Sequence, residues 1–268
     1  MKTVAVYSLK GGVGKTSLAV NLAAAFASAS AATRSARRTL LWDLDAQAAS
    51  TFILGGEAGP RKARAVFAQD ATPAALIRPT AVDRLDLLPA DISLRDLDAF
   101  FLGLGKRKRL QRLTEQLGTT YDRVLLDCPP GLTETSEQIL RAADLIVVPV
   151  IPSPLSRRAL DDIVAHLDAR GAEGGGRARG VVLPVFNMVD RRRLLHTAAI
   201  DAEPRWPVVP MASAMEMMAA HRLPVSAYAP RSPAATAIDK LWTVIERWLT
   251  REPRAEAGVE AAAKSTTK

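Results

Sequence analysis

The residues with the most chemistry to offer lie together near the start of this 268-residue chain, in Lys10-Gly11-Gly12-Val13-Gly14-Lys15-Thr16-Ser17. Three glycines let the backbone turn its N–H groups inward onto phosphate oxygens, where a Cβ would obstruct the approach. Lys15 supplies a point charge for β- and γ-phosphates, and the Thr16 hydroxyl is placed to bind Mg²⁺. A helix starting here adds its positive end to the same anion site. The usual loop has a glycine where this chain has Leu9, and a second lysine, Lys10, stands next to it. A plain glycine turn before a helix is the simpler alternative. Against it, a β-branched strand segment precedes the turn and the helix former of residues 18–26 follows, which is the context a phosphate loop requires.

Two acidic clusters follow apolar runs in the same way. In Asp43-Leu44-Asp45-Ala46-Gln47, two carboxylates two residues apart can both reach a strand-end site. One can order Mg²⁺-bound water while the other orients an attacking water; an aspartate capping the next helix is the alternative. In Asp127-Cys128-Pro129-Pro130-Gly131, an acid ending an apolar strand is a usual outer anchor of magnesium in phosphate-loop folds. The stiff Pro-Pro-Gly turn beside it can register a γ-phosphate. Cys128 reads as a small buried filler, since nothing near it in sequence marks a base.

The elements that must position these groups are short. Residues 4–7, 39–42, 85–88, 124–126, 145–150 and 181–185 read as buried strands, with helix-like stretches at 107–117, 135–142, 156–169 and 238–249. Strands alternating with helices predict an α/β fold: a single domain with a mostly parallel twisted sheet flanked by helices on both faces. Ligands in such sheets sit beyond the carboxyl ends of the strands, so the three motifs are expected to converge. Residues 1–250 read as one domain, with a glycine-rich surface loop at 172–180. Residues 251–268 read as a frayed, disordered tail.

Composition narrows the partners. A formal net charge of +8 favours polyanions such as nucleic acid, although arginines can simply decorate a surface. No apolar run is long enough to span a bilayer, and strand formers follow Met1 directly, so neither a signal peptide nor an N-terminal DNA-reading module is expected. The single cysteine excludes an intrachain disulfide framework and points to a reducing cytoplasm.

Together the three motifs resemble the ParA/MinD family of deviant-Walker phosphate-loop ATPases. Pro149-Val150-Ile151-Pro152-Ser153-Pro154-Leu155-Ser156 is similar to the short, Soj-like ParA branch. The resemblance runs from residue 2 to about residue 249. It implies ATP and Mg²⁺ as ligands and an ATP-dependent sandwich homodimer, in which Lys10 reaches the partner's nucleotide. It also implies that residues 10–17 cradle the phosphates, that Lys15 holds them and Thr16 the metal, that Asp45 positions the hydrolytic water, and that Asp43 and Asp127 support the metal. Hydrolysis in the family is slow alone and is stimulated by a ParB-like or cargo-adaptor protein.

By the same pattern Asn187 matches an adenine-binding position, with Pro210 and Met211 forming the other wall of the base pocket. An asparagine satisfying a backbone group is the alternative. The ParA branch binds DNA non-specifically on the nucleoid. Arg191, Arg192 and Arg193 fall where that resemblance expects basic residues, Arg192 aligning best, while a solvated charge run is the plainer reading. Where relatives carry arginines after Pro210, this chain has Met211, Ala214 and Met215, with Arg222 nearby as a possible substitute. A MinD-like membrane helix is not expected, because residues 255–268 offer almost nothing to bury. A nitrogenase iron protein would need two cluster cysteines per chain. The leading expectation is a partition or positioning ATPase for a plasmid, chromosome or protein complex. The alternative is a small-molecule ATP-dependent synthetase on the same fold.

Overall fold

The apolar runs form the middle of an eight-stranded sheet in a computed structural model that describes residues 1–28, 37–56, 63–105, 108–173 and 180–250. The strands are β1 (Lys2–Val6), β2 (Thr39–Asp43), β3 (Arg78–Pro79), β4 (Leu85–Leu88), β5 (Arg123–Asp127), β6 (Leu145–Val150), β7 (Val181–Val189) and β8 (Val208–Pro210). Their order is β3-β4-β2-β5-β1-β6-β7-β8, and every pairing is parallel except β3 with β4.

Alternation along each strand sends side chains to two separate cores. Val4 and Val6 face the first, which is covered by helix α1 (Lys15–Ala27) and by the last helix, Pro233–Thr250. Ala5 and Tyr7 face the second, covered by helices Leu97–Leu104, Arg109–Leu117, Glu134–Ala142 and Pro154–Glu173. Both faces being buried is what lets the strands be apolar throughout. Across the first core, Arg123 of β5 donates to both oxygens of Glu246 in the last helix, from Nε to Oε1 and from Nη2 to Oε2, each at 3.0 Å.

The strand order matters for the site. β5 inserts between β1 and β2, so Asp127 stands in register with Val6 on one side and with Asp43 on the other. Strands far apart in sequence thereby bring the end of the glycine loop's strand and two acids to one edge.

Several boundaries differ from the sequence reading. β7 continues through Asn187 to Val189, across a bulge where Met188 takes a left-handed φ of 54°. Strands β3 and β8 are too short, at two and three residues, to leave a periodic signal. The helix expected at 107–117 starts at Arg109, and 107 lies outside the described residues. The helix expected to stop at 169 continues to Glu173; 174–179 of the glycine loop and the tail 251–268 also lie outside the described residues. Among the described residues no helix is long and apolar enough to cross a membrane.

Candidate functional site

The loop after β1 is shaped by its glycines. Gly12 and Gly14 have φ of 72° and 83°, the left-handed region that side chains resist. A Cβ on Gly11 or Gly12 would meet nothing within 4 Å, so the face of the loop there is open. Gly14 caps α1 without a side-chain hydrogen bond, which leaves the first-turn amides of Lys15, Thr16 and Ser17 for an outside acceptor. Lys15 is buried to 8% exposure and its Nζ donates to the Lys10 carbonyl at 2.9 Å. Burial lowers its pKa, against the attraction of Asp127 and Asp45.

Asp127 is buried beside this loop. Its Oδ2 accepts the Ser50 hydroxyl at 2.5 Å. Its Oδ1 is buried with no hydrogen-bond partner. Asp43 stands in register beside it on β2. Its Oδ2 accepts both the backbone N–H and the hydroxyl of Thr51, at 2.9 and 2.8 Å, and its Oδ1 accepts the Asp45 N–H at 3.1 Å. With both oxygens so engaged, Asp43 orders the loop of residues 43–47 rather than facing a ligand. Burial pushes both carboxyls well above the ordinary carboxylate range, with repulsion from Asp127 adding at Asp43 and repulsion from Asp45 adding at Asp127. Asp45 is half-buried, and its Oδ1 accepts the Gln47 N–H at 2.9 Å.

These residues fit a magnesium-bound polyphosphate. Asp127 Oδ1 is an orphaned acceptor, the loop offers unsatisfied amides, and Lys15 brings a charge. Among the described residues no group of three His, Cys, Asp or Glu side chains could hold a metal alone. A hard cation here would take most of its oxygens from phosphate and water.

The remaining candidates divide. Asn187 is buried on β7, and its amide nitrogen donates to the Val13 carbonyl at 2.8 Å while crowding Gly14. The structure thus gives it the backbone-satisfying role, as a brace of the glycine loop. Pro210 ends β8 opposite Val189, and the Met211 N–H donates to the Val189 carbonyl, so both border the strand of Asn187. Arg191, Arg192 and Arg193 are exposed, but Arg192 is held by Asp190 through Nε and Nη2, both at 2.9 Å. Arg222 donates from Nε to the Phe52 carbonyl at 3.1 Å and lies 4.7 Å over the Phe52 ring. Arg222 remains exposed, with its guanidinium anchored at one nitrogen to that carbonyl. Cys128 is fully buried, and burial raises its thiol pKa well above the usual value, as suits a filler.

Sequence reading missed three contributors. Ser50 and Thr51 sit on helix α2 (Ala49–Ile53), and the buried Tyr7 donates to the Gly131 carbonyl at 2.9 Å, tying β1 to the Pro-Pro-Gly turn. Adjacent hydroxyl residues soon after the Asp-x-Asp pair were the available signal.

The AAA domain family model AAA_31 matches residues 1–170. The chain is 32% identical to the chromosome-partitioning ATPase Soj of Thermus thermophilus, over 90% of this chain and 94% of that protein. It is 35% identical to a ParA family protein of Chlamydia pneumoniae, over 70% of this chain and 73% of that one. Among solved structures, cobyrinic acid a,c-diamide synthase of Mycobacterium smegmatis, with a bound ATP analogue and magnesium, superposes with a TM-score of 0.76 at 26% identity, covering 93% of this chain and 96% of that one.

Proposed function

The chain belongs to the ParA family of ATPases, and from that premise we propose that it is a DNA-associated positioning ATPase. In this reading it binds ATP with Mg²⁺, dimerises around the nucleotide, and in that state holds DNA without sequence preference. A ParB-like or cargo-adaptor protein stimulates hydrolysis and releases it, so that a cargo is positioned over the nucleoid of the cytoplasm.

The observation that carries the proposal is the loop with two lysines. Lys15 is buried inward, while Lys10 has no acidic partner among the described residues although its carbonyl holds Lys15. A cation without an acidic partner among the described residues suits phosphates presented by a second copy. Thr16 and Asp127 would hold the magnesium, which supplies charge neutralisation on the phosphates. Lys15 exchanges the Lys10 carbonyl for phosphate oxygen, and the amides of residues 15–17 take the remainder of the charge. Asp45, fixed to the Asp43 carboxylate through its own N–H, orients the attacking water. Arg191 and Arg193 offer exposed charge to DNA. Arg192, whose own side chain is exposed, joins them by leaving Asp190.

DNA retention tests this, compared with ATP, with ADP and with ATP in Lys10→Ala. Retention by the parent with ATP alone, weakening steeply with salt, is expected. Equal retention in all three arms would sink the switch.

A second reading, an ATP-dependent amide-forming synthetase, is favoured by the match to the diamide synthase. ATP turnover that requires a carboxylate substrate and ignores DNA would establish it in place of the first.

A further inference from the structure

We infer that helix α2 links the nucleotide site to the segment of residues 213–222, and that Arg222 is the positioning residue at the far end of that link. The inference rests on the proposed binding of ATP beside Asp127. Three consecutive residues of α2 bond to three different places. The Ser50 hydroxyl donates to Asp127, the Thr51 N–H and hydroxyl donate to Asp43, and the Phe52 carbonyl accepts Arg222 Nε.

Each bond constrains the next. Asp43 also holds the Asp45 N–H, so the residue proposed to orient water shares its anchor with α2. Thr51 Oγ1 accepts the Ala90 N–H at 2.9 Å, so the hydroxyl is fixed from both sides and cannot turn away alone. A five-residue helix moves as one piece, because its backbone bonds leave little freedom within it. A change in what Asp127 and Asp45 face therefore moves Phe52. Arg222 follows Phe52 through a hydrogen bond and a stacked guanidinium.

The segment and the residues just after it have a second anchor, on α1. Asn21 of α1, buried in the helix that begins at the glycine loop, donates to Met218 Sδ at 3.1 Å and accepts the Val225 N–H at 2.9 Å. Residues 218–225 are thus pinned to α1 while Arg222 between them is pinned to α2. Relative motion of α1 and α2 must be absorbed in that segment. By reciprocity, a ligand that selects one position of the segment changes nucleotide affinity by the same factor.

Amide hydrogen exchange of the full chain, free and with ATP and Mg²⁺, tests this without DNA. In the parent, ATP should slow exchange at residues 11–16 and change it about fivefold or more at 217–223, the scale of an ordinary coupling. In Arg222→Ala the change at 11–16 should persist and the change at 217–223 should vanish. Arg222→Lys keeps the charge but loses the fork and the stack, so it should behave like the alanine variant. Unchanged exchange at 217–223 in a parent whose residues 11–16 respond would overturn the link. So would a full response in either variant. Absence of any response at 11–16 would instead overturn ATP binding, and native exchange rates in β1 and β5 establish that each variant is folded.

Discussion

Asn187→Ala separates two roles for one residue. The Asn187 amide donates to the Val13 carbonyl at 2.8 Å, and both residues are 2% exposed. Truncation leaves that carbonyl buried without its donor, a cost of about 1–3 kcal/mol. The glycine loop is the only covalent path between β1 and α1, so the cost falls on the shape that presents its amides. Passed wholly to binding, it weakens affinity about 5- to 150-fold. The assay is titration with ATP and with inorganic triphosphate, each with Mg²⁺ at one ionic strength. A brace of the loop predicts that both affinities fall by a similar factor. If ATP weakens while triphosphate binds as before, Asn187 reads adenine, and the reasoning from its hydrogen bond is refuted.

Other outcomes follow from the same geometry. Gly14→Ala places a Cβ 2.4 Å from Asn187 Nδ2 at a φ of 83°, so it should abolish triphosphate binding in the same titration. Glu246→Ala strands the buried Arg123 guanidinium and should cost about 3–5 kcal/mol in denaturant unfolding, most of it recovered in Arg123→Met with Glu246→Leu. Asp43 and Asp127 have raised carboxyl pKa values in the fold, so the folded state binds more protons than the unfolded one above the ordinary carboxylate range. Stability of the nucleotide-free protein should therefore fall as pH rises from about 4 towards neutrality, and Asp127→Asn should flatten that fall in thermal melts; identical pH profiles would count against the raised Asp127 carboxyl.

The chemistry was legible in the sequence where residue type and backbone demand coincide. Lys15, Thr16, Asp127 and the glycines are specified by what a phosphate loop needs, and the structure brings them together at the ends of β1 and β5. The sheet's central strands were legible because burial on both faces makes them continuously apolar. Their order was not, since nothing local in residues 123–127 says that they insert between β1 and β2. Asp43 shows the same limit at the level of a side chain. Its spacing from Asp45 suggested that both acids face the ligand, but the strand's alternation and the hydroxyl of Thr51 turn it inward. The bond that anchors Arg222 was not legible, because its partner is a backbone carbonyl 170 residues away in the chain. Such a contact leaves no pattern in a single sequence.

Molar mass in solution tests the central claim most directly, measured by sedimentation with ATP and Mg²⁺ for the parent and for Lys10→Ala. The two-lysine loop predicts that the parent doubles its mass with ATP but not with ADP, and that Lys10→Ala stays monomeric while still binding ATP through Lys15. A Lys10→Ala protein that dimerises with ATP as the parent does would contradict the account.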